Sequence, residues 1–303
     1  MTASETSSNA LGFDLEHWYT ATLLSESVSD PTDHVESSVD IVLGLLSRHD
    51  VRATFFVVGE VAATYPDLVA RIADAGHELA SHGQTHTPLF DLDRAQFADE
   101  LRQSRIAIRE ASGVEPAGFR APNFSVTEET AWALDVLQES NYEYDSSVFP
   151  VRTPMYGVSG APRRPYVVER GSPFTAGAAG GDGLLEFPLA VAESRYRFPV
   201  AGGFYARVLP TRLLERGIRR LNRRGIPANL YFHPWEFNPA VQTSEPPLKA
   251  RLISFYGLGR LSDSLESLLK SFELAPVGRV LGNQPGVDFD APTRGTRRGH
   301  HHR

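Results

Sequence analysis

The apolar positions along the chain change period many times, and each change marks a predicted element. Residues 10–14, ALGFD, are a short apolar run that ends in an acid. From Asp33 to His49 the apolar residues Val35, Val39, Val42, Leu43 and Leu46 follow a helical period. Asp33 stands where a cap is needed. Val51 to Val58, VRATFFVV, is β-branched and aromatic with no helical period, which predicts a buried strand. Pro66 opens a second helix with Leu68, Val69 and Ile72 on one face, and Gly76 ends it. HELAS, residues 77–81, is the next strand.

The rhythm continues. Asp93 to Ser112 predicts a helix with Phe97, Leu101 and Ile108 on its apolar side. Gly118 to Arg120 reads as a strand, Thr127 to Ser140 as a helix and Tyr142 to Asp145 as a strand. Residues 150–183 are rich in Pro, Gly and Arg and have no period, which predicts a long loop or a hairpin excursion. Residues 184–188 form a strand, Pro210 to Arg224 a helix and Ala228 to Phe232 another strand. Lys249 to Tyr256 and Asp263 to Phe272 read as helices, and Ala275 to Leu281 as a last strand. The polar, Gly- and Arg-rich residues 286–303 predict a disordered tail.

Strands alternating with helices predict an α/β fold with a parallel sheet. Five polar clusters, FDLEHW, SHGQTH, RAPNFS, YDSS and YFHPWE, each follow a predicted strand. In such folds the carboxyl ends of the strands share one face, where ligands bind. A closed or nearly closed β/α barrel is the simplest arrangement that brings all five together.

Composition narrows the function. The chain has 303 residues, 41% of them hydrophobic, enough for one large domain or two modest ones. Its net charge of -7 gives no reason to expect a nucleic-acid surface. It has no cysteine, which excludes disulfides and thiolate metal sites. No apolar run is long enough to span a bilayer. The N-terminus lacks the basic and apolar regions of a signal peptide, so a cytoplasmic protein is expected.

The densest candidate chemistry lies in residues 77–90, HELASHGQTHTPLF. His82 and His86 stand four residues apart, and two imidazoles at that spacing can serve one cation. They need a third, anionic ligand to leave positions open for water and substrate. Gly83 stands where the Glu of an HExxH helix would be, so a general base must come from elsewhere. His233 ends the apolar strand ANLYF, and its ordinary pKa near neutrality suits a general acid. Phe124, Tyr231 and Trp235 are candidate walls for a sugar, with Trp235 foremost. Ordinary structural roles stand beside these. The two histidines fit a surface loop, Asp14 a strand-end cap and Glu16 a solvated acid. Arg120 fits a surface ion pair and Asp145 a turn. The aromatics fit a core. His17, His34, His49 and His77 show no partner pattern.

Taken together, FDLE, SHGQTH, RAPNFS, YDSSVFP and NLYFHPW resemble, in order, the motifs of the polysaccharide deacetylases. These are the NodB-homology or family 4 carbohydrate esterases. The resemblance spans roughly residues 10–285. AGGFYARVLP, YFHPWEFNP and the helical stretch after them resemble the exopolysaccharide-locus subfamily, with its C-terminal extension, here residues 240–285. The resemblance implies a distorted β/α barrel of about seven strands. It also implies a divalent metal, most often zinc, and removal of N-acetyl groups from amino sugars. Carried over residue by residue, it assigns His82, His86 and Glu16 as metal ligands and Asp14 as base. Arg120 would hold Asp14 charged, and Asp145 would raise the pKa of His233. Many relatives have two adjacent aspartates where this chain has Asp14-Leu15-Glu16.

Three functions compete. The first is a metal-dependent deacetylase acting on a polysaccharide, an oligosaccharide or a lipid-linked glycan precursor, the last with peripheral membrane contact. The second is a hydrolase of another carbon–nitrogen bond, in a cyclic ureide or imide. The third is a carbohydrate-binding protein without catalysis. Asp14, Glu16, His82, His86 and His233 are all present, which argues against the third.

Overall fold

The computed structural model describes residues 8–151, 153, 156–176, 183–192 and 198–284. The predicted tail at 286–303 lies outside these residues, as does part of 150–183.

The first half alternates strand and helix. Strand β1 (Asn9–Leu15) is buried along its whole length. Helix α1 (Val35–Arg48) follows, and Oδ1 of Asp33 accepts the Val35 N–H at 2.8 Å. Next come β2 (Thr54–Val57), a short α2 (Gly59–Thr64), and α3 (Pro66–Asp74), which buries Leu68, Val69 and Ile72. Strand β3 (Glu78–Ser81) leads towards the histidine pair. Helix α4 (Arg94–Ser112) starts from a capping box in which Asp93 and Gln96 satisfy each other's backbone N–H groups. Strand β4 (Gly118–Phe119), helix α5 (Trp132–Glu139) and strand β5 (Tyr144–Asp145) complete this half. Helix α5 starts later than its sequence suggests. Thr130 accepts the Thr127 N–H and donates to the Ser125 carbonyl, which ties residues 125–130 into a turn.

The second half adds a hairpin, β6 (Tyr166–Glu169) and β7 (Ser172–Ala176), so the excursion predicted at 150–183 contains strands. Then follow β8 (Leu185–Glu186), β9 (Val191–Ala192), β10 (Phe198–Pro199), α6 (Gly203–Val208) and α7 (Thr211–Asn222). Strand β11 (Asn229–Phe232) precedes α8 (Leu248–Phe255), α9 (Leu258–Ser271), β12 (Leu274–Ala275) and α10 (Val277–Gly282). The strand expected at 275–281 is therefore mostly helix. Only Leu274 and Ala275 pair with β1, and Pro276 then leads into a turn whose Val277, Val280 and Leu281 are buried at helical spacing.

Parallel strands run in the order β11-β1-β2-β3-β4-β5-β8. The two ends of this row approach without regular pairing. Ala190 N–H donates to Asn229 O at 3.0 Å, and Asn229 Nδ2 donates to Phe187 O at 2.7 Å. The sheet thus curls into a distorted β/α barrel of seven strands. Helix α10 plugs its amino end, packing Val277, Val280 and Leu281 against Phe56, Tyr144 and Phe187. The carboxyl ends open on the opposite face. There Phe255 and Leu258 of the C-terminal segment pack with Trp18, Trp235 and Val241. Among the described residues no helix is long and apolar enough to cross a membrane.

Candidate metal and acid–base site

The last inward-facing residue of each strand, or the first residue beyond it, supplies the site. Side chains alternate along a strand, so Asp14 faces inward from β1 while Leu15 does not, and Glu16 follows where the chain leaves the sheet. His82 comes directly after β3, Arg120 after β4 and His233 after β11. Asp14, Glu16, His82 and Arg120 are 4% exposed or less. Buried charges of this kind persist only if paired or bound to a cation.

One candidate ligand atom from each of Glu16, His82 and His86 falls within 4.8 Å of the others. The histidines do not share a helix. His86 lies in a loop with φ 60°, and Gly83 before it has φ 78°, so two left-handed residues turn the second imidazole back towards the first. His82 Nδ1 lies 2.7 Å from the Arg120 carbonyl. A carbonyl only accepts, so this ring carries its proton on Nδ1 and keeps the Nε2 lone pair for a cation. Burial holds its pKa down to about 4, which leaves the ring neutral at neutral pH. His86 Nε2 is in contact with Glu16 Oε2. Burial alone would raise the Glu16 pKa, but His86, His233 and His82 overcome it and hold the carboxyl well below the usual range. Two imidazoles and one carboxylate fit a divalent ion with open positions.

Arg120 organises the neighbouring acid. Its Nη1 donates to Asp14 Oδ1 at 2.7 Å, its Nε to Ser146 O at 3.0 Å and its Nη2 to Ser146 Oγ at 2.8 Å. The guanidinium also stacks on Phe56, 3.9 Å from the ring centre. It passes so close to β1 that a Cβ on Gly12 would stand 3.0 Å from Nη1. The other oxygen of Asp14 faces His233 Nε2 at 4.0 Å, and Glu16 Oε1 lies 3.7 Å from the same nitrogen. Burial would lower the His233 pKa, but Glu16, Glu236 and Asp14 raise it to about 9.

Comparison with known proteins matches the polysaccharide deacetylase family model over residues 30–144. This part of the chain is similar to the polysaccharide deacetylases. Residues 146–282 match a second model, described as a domain of unknown function (DUF3473). The chitooligosaccharide deacetylase of Bradyrhizobium sp. (strain ANU 289) is 39% identical over 100 residues, 33% of this chain and 43% of that protein. The peptidoglycan-N-acetylglucosamine deacetylase of Bacillus cereus is 30% identical over 95 residues, 31% of this chain and 34% of that protein. This chain thus spans less than half the length of these curated relatives. A crystal structure assigned as a polysaccharide deacetylase from Mycobacterium smegmatis covers 97% of both chains. Its TM-score is 0.59 at 20% identity, which supports the barrel fold.

Within this polysaccharide deacetylase fold, two sequence expectations need correction. Asp145 does not reach His233. Ser146 faces the barrel interior, so the preceding residue points outward, where Asp145 accepts from Ser147 Oγ beside Glu186. Burial pushes the Asp145 pKa up, and burial with the facing Asp145 pushes Glu186 far higher, so a proton is held between them. Trp235 is not an open sugar platform. Its ring is 6% exposed, stacks on His233 at 5.4 Å and donates its indole N–H to Glu16 Oε1 at 3.2 Å. Phe124 and Tyr231 are equally buried and meet edge to face at 4.6 Å, walling one flank of His233.

Sequence reading missed the carboxylate that does hold His233. Glu236 Oε2 lies 3.1 Å from His233 Nδ1 and accepts the His233 backbone N–H at 3.0 Å. Its signal was the spacing in HPWE, an acid three residues after a strand-end histidine with Pro between them, which is a capping-box pattern.

Proposed function

We propose that this protein is a metal-dependent hydrolase that removes N-acetyl groups from amino sugars of a glycan. The observation that carries the reading is the convergence of three groups at one barrel mouth. These are the Glu16–His82–His86 cluster, the Arg120-bound carboxylate of Asp14, and the His233 ring between them. The match of residues 30–144 to the polysaccharide deacetylase model, and the similarity to chitooligosaccharide and peptidoglycan deacetylases, support an N-acetylated sugar as the substrate class.

Glu16, His82 and His86 would hold the ion, and zinc suits a set of two imidazoles and one carboxylate. When bound, the ion would acidify a water and polarise the amide carbonyl. The protein's own groups divide the proton work. Asp14, paired with Arg120, accepts the proton of the attacking water. His233, protonated at Nε2 among its carboxylates, gives a proton to the leaving amine nitrogen. The buried aromatics Phe124, Tyr231 and Trp235 exclude water around that proton.

A lipid-linked precursor is the substrate form favoured by one surface feature. The Arg207 guanidinium bonds to the Ile253 and Tyr256 carbonyls, which brings α6 against the end of α8. Phe204 and Val208 on α6, Leu252 on α8 and Tyr256 just after it are exposed by 37–55%.

Acetate release from N-acetylated oligosaccharides, with cyclic ureides and imides as controls, tests the reading. Acetate from the sugars with no ureide turnover supports it. Ureide turnover alone, or sugar binding with no acetate released by the zinc-loaded protein, overturns it.

A further inference from the structure

The groups behind His233 form a continuous chain that ends outside the catalytic mouth. Glu236 receives two bonds from His233 on one oxygen, Oε2. Its other oxygen, Oε1, accepts from Arg207 Nη2 at 3.1 Å. Arg207 in turn spans the carboxyl end of α8. Its Nη1 donates to Tyr256 O at 2.7 Å, and both terminal nitrogens reach Ile253 O at 3.3 Å. Glu236 is 2% exposed and Arg207 is 4% exposed. The backbone is shaped to admit them. A Cβ on Gly203 would collide with the Glu236 carboxylate, so α6 meets that group only because residue 203 has no side chain.

We propose that Glu236 is the positioning residue of His233, and that Arg207 couples this pair to the end of α8, so that the C-terminal segment sets the orientation of the acid. This rests on the reading of His233 as the acid. A carboxylate can only accept, so its bond with His233 requires the proton on Nδ1 and directs Nε2 to Asp14 and Glu16. Both carboxylate oxygens are occupied, which fixes the plane of Glu236. The planar guanidinium fits one carboxylate and two carbonyls at once, which a lysine cannot do. Helix α8 thereby controls the angle of the His233 ring through two buried side chains.

The competing account is that the Arg207–Glu236 pair only closes the turn after β11 and leaves the ring indifferent. Arg207→Met separates the two. The readouts are zinc content, thermal melting, nitrogen-15 resonances of the His233 ring in the zinc-loaded protein, and turnover of an N-acetyl sugar and of an activated aryl acetate. We expect zinc content to persist and the signature of a hydrogen-bonded Nδ1–H to weaken. We expect kcat on the amide to fall ~10–100-fold, as for loss of other ring-orienting partners, with KM little altered. The aryl acetate needs no protonated leaving group and should lose far less. Arg207→Lys should restore part of the amide rate at most. A folded Arg207→Met protein with unaltered ring resonances, or with equal losses on both substrates, overturns the proposal. If Arg207→Met does not fold, the same measurements on Arg207→Lys decide it: weakened ring resonances with a selective loss on the amide support the proposal, and unaltered resonances or equal losses overturn it. If His233→Ala leaves amide turnover intact, the acid reading fails by itself, while the ring resonances still decide whether Glu236 and Arg207 orient His233.

Discussion

Trp235 donates its indole N–H to Oε1 of Glu16, and Oε2 of the same carboxylate meets His86. The aromatic ring that stacks on His233 therefore also orients the carboxylate of the candidate metal cluster.

Trp235→Phe keeps a flat ring against His233 and removes the donor. Partners that orient a ligand typically contribute 10–100-fold to metal affinity, roughly the loss expected here. Chelator competition measures it, with thermal melting to confirm that the fold persists. Unaltered affinity would reduce Trp235 to packing.

Asp14 and Arg120 form a buried ion pair, and its two members should respond differently. Arg120→Met removes the guanidinium from the buried Asp14 charge and should cost ~3–5 kcal/mol in urea unfolding. Asp14→Asn preserves shape, so zinc content should hold while turnover falls ~10²–10⁴-fold. Near-parental turnover of Asp14→Asn would move the base role to another residue, with Glu16 the first to examine.

The alternation of periods made most of the barrel legible, because each strand is an apolar run followed directly by a polar cluster at the mouth. The failures have local causes. Residues 276–281 follow two residues paired to β1, but Val277, Val280 and Leu281 have helical spacing, and Pro276 opens the turn that carries them. Asp145 was expected to partner His233 from the resemblance of YDSSVFP to a family motif. Strand parity decides which way it points, and Ser146 holds the inward position. Glu236 was hidden because a turn of three residues, not a distant motif, brings it to the ring. Arg207 was hidden because its partners are Glu236, on a distant element, and the backbone carbonyls of residues 253 and 256, which no local side-chain pattern reveals.

His233→Gln tests the acid directly. With metal and fold retained, turnover of an N-acetyl sugar should fall ~10²–10⁴-fold, and the loss should shrink for activated aryl acetates. An equal loss on both substrates would assign His233 to binding or to packing.

His77 is expected to make stability pH-dependent far from the barrel mouth. Its ring is buried, and Nδ1 accepts the Ala53 backbone N–H at 3.2 Å, so this nitrogen must be bare in the folded protein. Burial first, and the Arg52 charge second, hold its pKa down to about 4, against 6.5 for an unperturbed ring. As pH falls, the unfolded chain therefore takes up the proton before the folded one. The contribution of His77 is complete above the unfolded value, declines as pH drops from about 6.5 towards 4, and changes no further below that. Each unit of difference is worth ~1.4 kcal/mol, so the loss expected between about pH 7.5 and about pH 4.5, most of the window, is on the order of 2–3 kcal/mol. Other groups titrate over the same range, so the comparison must be with His77→Phe, which fills the site and cannot bind a proton. Its stability at neutral pH should be lower, because the Ala53 N–H loses its acceptor. Urea unfolding at about pH 7.5 and about pH 4.5 should show the gap between parent and variant narrowing by that amount. A gap of the same size at both pH values would mean that His77 titrates alike in the folded and unfolded states.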